Sequence, residues 1–251
     1  MTAPVDLLAI AAHPDDAEIA CGGALLIAKA ANRRTAIADL TDAEMSTAGT
    51  PERRSQERMR ASELLGLAER VGLGLPDTML GSHPAHRDAL VALLRELRPI
   101  VVLAPEIDDR HPDHAATGRL VRDACFYAGV GKLGKGEPYR PLRLYHYPLH
   151  HPCQPSFVLD VSAVWEQRTR AIDAYASQFA RDRETTGEAP ATEINTGSFR
   201  ELLCSRARVY GAMVGVARGE PYRSLGPLAA HEVPGLTAAR PQTVGPYRTY
   251  L

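Results

Sequence analysis

The stretch Leu7-Leu8-Ala9-Ile10-Ala11-Ala12-His13-Pro14-Asp15-Asp16 decides the fold. Its six apolar residues read as a buried strand, and a knot of one imidazole and two carboxylates stands where that strand gives out. Gly22-Gly23 then opens an apolar-periodic run (Ala24, Leu25, Ile27, Ala28, Ala31) that predicts a helix beginning at the glycine pair. A His-Pro-Asp turn is ordinary by itself, because Pro presets φ and Asp bonds its own backbone. Here a second knot, Asp109-Arg110-His111-Pro112-Asp113-His114, follows a second apolar run, Ile100 to Ala104. In an open parallel sheet, ligands bind beyond the carboxyl ends of the strands, so two such knots point to a site.

Between and beyond the knots the pattern alternates. Strands are predicted at Thr35 to Leu40, Arg70 to Leu73, Leu142 to Tyr147 and Phe157 to Val161. Helices are predicted from Glu52, over Arg87 to Leu97, Asp113 to Tyr127, Val164 to Phe179 and Ser198 to Val216. Such alternation means a parallel sheet covered on both faces, an α/β fold. Thr50 and Pro51 form a helix start, capping residue then proline. Gly129 to Pro141 lacks the spacing of a phosphate loop and reads as a flexible surface loop. His83 and His86, with no strand end beside them, read as surface histidines. His150 and His151 are adjacent on extended backbone and point opposite ways, which argues against joint ligation. Ala180 to Gly197 reads as a polar flap, and the proline-rich tail as a segment that wraps the surface or reaches a neighbouring subunit.

His13, Asp16 and His114 offer two nitrogens and one carboxylate oxygen. A catalytic zinc site wants three such ligands and a fourth position for water, although other divalent ions suit a carboxylate-containing set. If Asp16 is a ligand, Asp15 is left free as a general base, and His111 supplies a positive hydrogen-bond donor where charge develops on a carbonyl oxygen. These are the parts for hydrolysing an amide or ester. Arg53 and Arg54 open a charged helix beside a strand-end loop, and an Arg fork there suits a carboxylate or phosphate, although a charge run is more often a solvated face.

The segments AHPDDAEIACGG and DRHPDH resemble the PIG-L/LmbE-like family of zinc-dependent N-acetylglucosamine deacetylases. DLTDAEMSTAGTPERR, GLPD, ACFYAGVGK, Pro155-Ser156-Phe157 and Tyr175-Ala176-Ser177-Gln178-Phe179 resemble its bacillithiol-biosynthesis branch, so the likeness spans about Val5 to Ser224. The resemblance implies a Rossmann-like, mostly parallel sheet in one domain, residues 1–226, followed by a C-terminal extension, 227–251. It implies zinc on His13, Asp16 and His114, Asp15 as general base, and His111 stabilising the tetrahedral intermediate. The implied substrate is N-acetylglucosaminyl-malate, with Arg54, or less suitably Arg53, meeting the malate, Arg110 meeting sugar or malate, and Glu44 lining the site. Asp42-Ala43-Glu44 departs from the Arg-Gly-Glu expected in relatives. Relatives are often homo-oligomers, hexamers among them. The rival readings are deacetylation of a chitooligosaccharide or mycothiol precursor, cleavage of a thiol S-conjugate, and a non-catalytic metal- or sugar-binding protein.

The 251 residues are 45% hydrophobic and 24% charged, an ordinary globular composition. A formal net charge of -1 gives no general attraction for nucleic acid or anionic membrane. No apolar run approaches a membrane span, and the acidic turn after residue 12 is unlike a secretory signal, so the expected location is cytoplasmic. The scattered cysteines, Cys21, Cys125, Cys153 and Cys204, predict free, mostly buried thiols. Cys21 beside the first knot is a weak candidate nucleophile.

Overall fold

The computed structural model describes residues 3–179 and 197–228. The predicted flap, Ala180 to Gly197, lies outside the described residues except for Gly197, and so does the tail from 229 onward.

Five parallel strands form the central sheet: β1 (Leu7–Ala11), β2 (Thr35–Asp39), β3 (Glu69–Gly72), β4 (Val101–Pro105) and β5 (Arg143–Tyr147), in the order β3-β2-β1-β4-β5. Helices α1 (Asp16–Ala30), α2 (Pro51–Leu65), α3 (Pro84–Leu97) and α4 (Pro112–Tyr127) are the crossovers between successive strands of the first four and on to β5. Strand alternation divides the core. Leu8, Ile10, Ala36, Ala38, Val102 and Ala104 pack with Leu90 and Leu94 of α3 and Val121 of α4. Ala9, Ala11, Ile37 and Leu103 face the other way, onto Leu25 of α1 and Leu65 of α2. Near-continuous apolar strands are what burial on both faces requires.

The order places β1 between β2 and β4. The chain leaves β1 toward one edge and later returns to β4 on its other side, so the crevice between the carboxyl ends of β1 and β4 is the switch point of the sheet. Both knots stand there.

Four sequence expectations need correction. The first helix begins at Asp16, not at the glycine pair, and bends at Cys21, where φ is -139°. The glycines serve the bend. A Cβ on Gly23 would lie 2.5 Å from Val161 Cγ1 and 2.7 Å from Glu220 Oε1. Without it, the buried Glu220 carboxylate accepts the Gly23 and Ala24 N–H groups at 2.8 and 2.9 Å, satisfying amides that the bend frees. Arg168 Nε lies 3.0 Å from the same carboxylate, and Tyr222 OH donates to it at 3.0 Å.

Second, the helix expected over 164–179 divides into α5 (Trp165–Asp173) and α6 (Ala176–Phe179) after a short 3-10 turn at Ser162–Val164. Third, β6 (Phe157–Asp160) leaves the parallel sheet and pairs antiparallel with β7 (Gly219–Tyr222), a strand that sequence patterning misses because it contains Pro221. Arg223 then bridges to His146 of β5 in antiparallel fashion. Between β6 and β7 runs α7 (Gly197–Val214).

Fourth, His86 is buried at 7% exposure, while its neighbour His83 stays on the surface and caps α3 by accepting the Ala85 N–H at 3.1 Å. The Gly129 to Pro141 stretch is a largely exposed loop, yet Arg95 donates to four of the carbonyls in and beside it, at Ala128, Val130, Lys135 and Gly136. No helix among the described residues is long and apolar enough to cross a membrane.

Candidate active site

β1 ends in Ala11, and the next residues turn sharply so that α1 can start. Asp15 takes φ 111°, a conformation L-residues seldom adopt, and stands at the N-cap without using its side chain to cap. Strain of this kind persists where surrounding structure imposes it, often at functional sites. Asp16 opens α1, and its Oδ2 accepts the His13 backbone N–H at 3.0 Å. On the other side of the switch point, His111 caps α4 by accepting the Asp113 N–H on Nδ1 at 3.2 Å. His114 therefore projects from the first turn of α4.

The loops meet. His114 Nε2 lies 3.3 Å from Asp16 Oδ1, and His13 Nδ1 lies 3.5 Å from Asp16 Oδ2. One ligand atom from each of His13, Asp16 and His114 falls within 4.8 Å of the others. The remaining ring nitrogens are held by carboxylates: His13 Nε2 is 3.2 Å from Asp77 and 3.5 Å from Asp113, and His114 Nδ1 is 3.2 Å from Asp109. A histidine whose far nitrogen sits on a carboxylate is oriented and made more basic for a metal, and this occurs twice here. The donor set fits a divalent cation such as zinc. Scattered cysteines supply no thiolate alternative, and all four are free.

The electrostatics agree. Although burial disfavours the His13 cation, Asp113, Asp16 and Asp77 push its pKa well above the ordinary value. His114 is likewise pushed up to about 9 by Asp16 and Asp109 against the effect of burial. The carboxylates thus demand positive charge between the two rings, which protons supply when a metal does not. Burial pushes the Asp15 carboxyl up to about 7, an effect that Arg54 opposes. Asp16 goes the other way: burial raises it, but His114 and His13 hold it well below the carboxylate range. Burial and the neighbouring His114 and His13 lower His111. Because Nδ1 accepts from Asp113, a neutral His111 carries its proton on Nε2.

A cavity of about 450 Å³ surrounds these groups, lined among others by His13, Asp15, Asp16, Arg54, Asp77, Arg110, His111 and His114. Arg54 is buried at 6% exposure, donates to Pro14 O at 3.0 Å and lies 3.7 Å from Asp15. Its Nε and Nη1 find no hydrogen-bond partner among the described residues. Arg110 borders the cavity from an exposed position. Arg53 is not among the lining residues; its exposed side chain lies 3.4 Å from Glu57. Glu44 is also outside the lining and accepts the Asp77 N–H at 2.7 Å, acting on the site through that residue.

Three contributors escape sequence reading. Asp77, from the loop after β3, holds His13. Asp109 Oδ1 gathers the His111 N–H at 2.8 Å together with the rings of His114 and His150. His150 joins as a stacking partner of His114, with ring centroids 5.2 Å apart. His150 and His151 both line the cavity, and no group of possible metal ligands among the described residues contains the two together. Cys21 is buried, gives its S–H to Ala17 O, and burial raises its pKa well above the ordinary value, so no nucleophile is available there.

Residues 8–125 match the model of the PIG-L family, described as GlcNAc-PI de-N-acetylase. Over this segment, just under half of the chain, the sequence is similar to the PIG-L family. Conserved protein TT1542 from Thermus thermophilus is similar in structure, with 43% identity, TM-score 0.83, and coverage of 93% of this chain and 100% of that one. Diacetylchitobiose deacetylase of Thermococcus kodakarensis is 29% identical over 189 residues, 70% of this chain and 71% of the relative. The 2'-N-acetylparomamine deacetylase of Streptomyces fradiae is 28% identical over 213 residues, 68% of this chain and 72% of the relative. The PIG-L match encloses both knots, Asp77 and Arg54.

Proposed function

We propose that this chain is a divalent-metal-dependent amide hydrolase that removes the acetyl group from an N-acetylglucosamine conjugate, and that the conjugate is N-acetylglucosaminyl-malate. The observation that carries the chemistry is the convergence of His13, Asp16 and His114 from two strand ends, with Asp15 beside them as a buried carboxylate outside the ligand set. His13, Asp16 and His114 would hold the cation, which would supply Lewis-acid activation of the water and the acyl oxygen.

Asp15 takes the proton from the attacking water and returns it to the amine as the carbon–nitrogen bond breaks. Its pKa near 7 suits both halves of that task. His111 donates from Nε2 to the acyl oxygen as negative charge develops on it. Asp77, Asp109 and Asp113 keep the ligand rings oriented, and Glu44 keeps Asp77 in place through its backbone.

The malate assignment is supported by Arg54, a buried guanidinium that borders the cavity and lies 3.7 Å from Asp15. Such a group favours a carboxylate, which a planar fork meets with paired charge-assisted bonds. Arg110 at the rim adds a second positive charge. Acetate release from N-acetylglucosaminyl-malate, its inositol counterpart and diacetylchitobiose is the test. At least tenfold preference in kcat/KM for the malate compound is expected. Preference for diacetylchitobiose, the substrate named for one relative, overturns the malate assignment, and no release from any of the three overturns the hydrolase.

A further inference from the structure

The groups that perform the chemistry, from His13 to His114, all lie within the segment matched by the family, 8–125. Much of the remaining lining of the same cavity comes from later in the chain. Leu149 follows β5, Gln178 belongs to α6, and Phe199 and Leu202 belong to α7; Met45 joins them from the loop after β2.

This wall is apolar and largely wet. Leu202 is 54% exposed and Met45 65% exposed. Phe199 is held in place by stacking on Phe179, with ring centroids 5.8 Å apart and planes within 11°. Phe179 is itself buried against Ile19, Ile172 and Leu203, so the stack has a rigid base. The remaining surface of Phe199 borders the cavity. Apolar surface beside a polar reaction centre favours a ligand that is amphipathic in the same sense.

A glucosamine ring has that character. Its substituents from C2 to C5 are all equatorial, which leaves C–H faces that an apolar side chain can cover. We propose that Phe199 and Leu202, with Met45 across the mouth, form a shelf that seats a carbon face of the substrate's hexosamine ring, which makes them determinants of sugar specificity rather than of chemistry. The inference rests on the reading of the substrate as a hexosamine amide. It adds that recognition of the sugar ring is built into α7, outside the family-matched segment.

The test compares Phe199→Ala and Leu202→Ser with the metal-loaded parent. Leu202 is exposed, so its variant keeps the fold even if loss of the Phe179 stack unsettles the other. With N-acetylglucosaminyl-malate, KM is expected to rise roughly five- to tenfold in each while kcat stays within about twofold, the pattern of lost uniform binding. The Kd of the deacetylated glucosamine conjugate, measured by calorimetry, moves by the same factor. Turnover of acyclic N-acetylethanolamine, which has no ring to seat, is expected to fall by less than turnover of the malate conjugate.

Unchanged KM and Kd in both variants overturns the shelf, as does a fall in kcat at constant KM. If the parent releases no acetate, the hydrolase reading fails separately. Calorimetry still decides the shelf: weaker binding in the variants supports it, and equal binding, or none by the parent, overturns it.

Discussion

The Asp77 carboxylate lies 3.2 Å from Nε2 of His13, across a sequence separation of 64 residues. That contact ties the loop after β3 to the end of β1. It also leaves Nδ1 as the nitrogen of His13 that faces Asp16. Asp77→Asn is therefore expected to weaken metal binding by about ten- to a hundredfold with the fold intact. Competition against a chromogenic chelator measures this, and an unchanged affinity would remove Asp77 from the support of the site.

On the proposed mechanism, Asp15→Asn keeps the shape and the three proposed ligands but removes the proposed base. A fall in kcat of roughly 10²- to 10⁴-fold is expected, with metal content unaltered. Acetate release and elemental analysis on the same sample separate the two effects. A parental rate would assign the base elsewhere.

Arg70 of β3 donates to Glu18 Oε1 at 2.6 Å and to both oxygens of Asp39, at 2.8 and 2.9 Å. Both carboxylates are fully buried. Replacing Arg70 with Met strands two charges in the interior, which costs about 3–5 kcal/mol. Urea unfolding followed by circular dichroism reads the loss, and a change under 1 kcal/mol would mean that water reaches these groups.

Burial pushes the Cys125 thiol up to about 12 and raises Cys21 well above its ordinary value. Raising a thiol pKa shrinks its reactive anion at any lower pH, to a fraction on the order of 10⁻⁴ at pH 8 for Cys125. Neither residue should be alkylated by iodoacetamide at pH 8 until the chain unfolds. Mass spectrometry of peptides after timed labelling checks this, and prompt labelling of native Cys21 would reopen its candidacy as a nucleophile.

What the sequence made legible was whatever is local. Leu7 to Ala12 announces a buried strand by its apolar run, and the spacing of His13 and Asp16 places both on one turn. The second knot follows another such run, so the switch-point crevice could be anticipated from two short stretches. Long-range partnerships carry no such mark. Glu220 accepts from Gly23 across 197 positions, and without that pairing the glycine pair reads as a helix start instead of the relief for a bend. Pro221 hides β7 in the same way, since an edge strand tolerates a residue that patterning treats as a break. His86 reads as a surface histidine because its burial depends on neighbours from other elements.

The measurement that bears most directly on the whole account is acetate release from N-acetylglucosaminyl-malate by chain stripped with a chelator and then reloaded with one equivalent of zinc. The stripped chain should release none, and reloading should restore turnover in the parent but not in His13→Ala or His114→Ala. Full turnover after stripping, or equal restoration in both variants, would contradict a hydrolase built on these two strand ends.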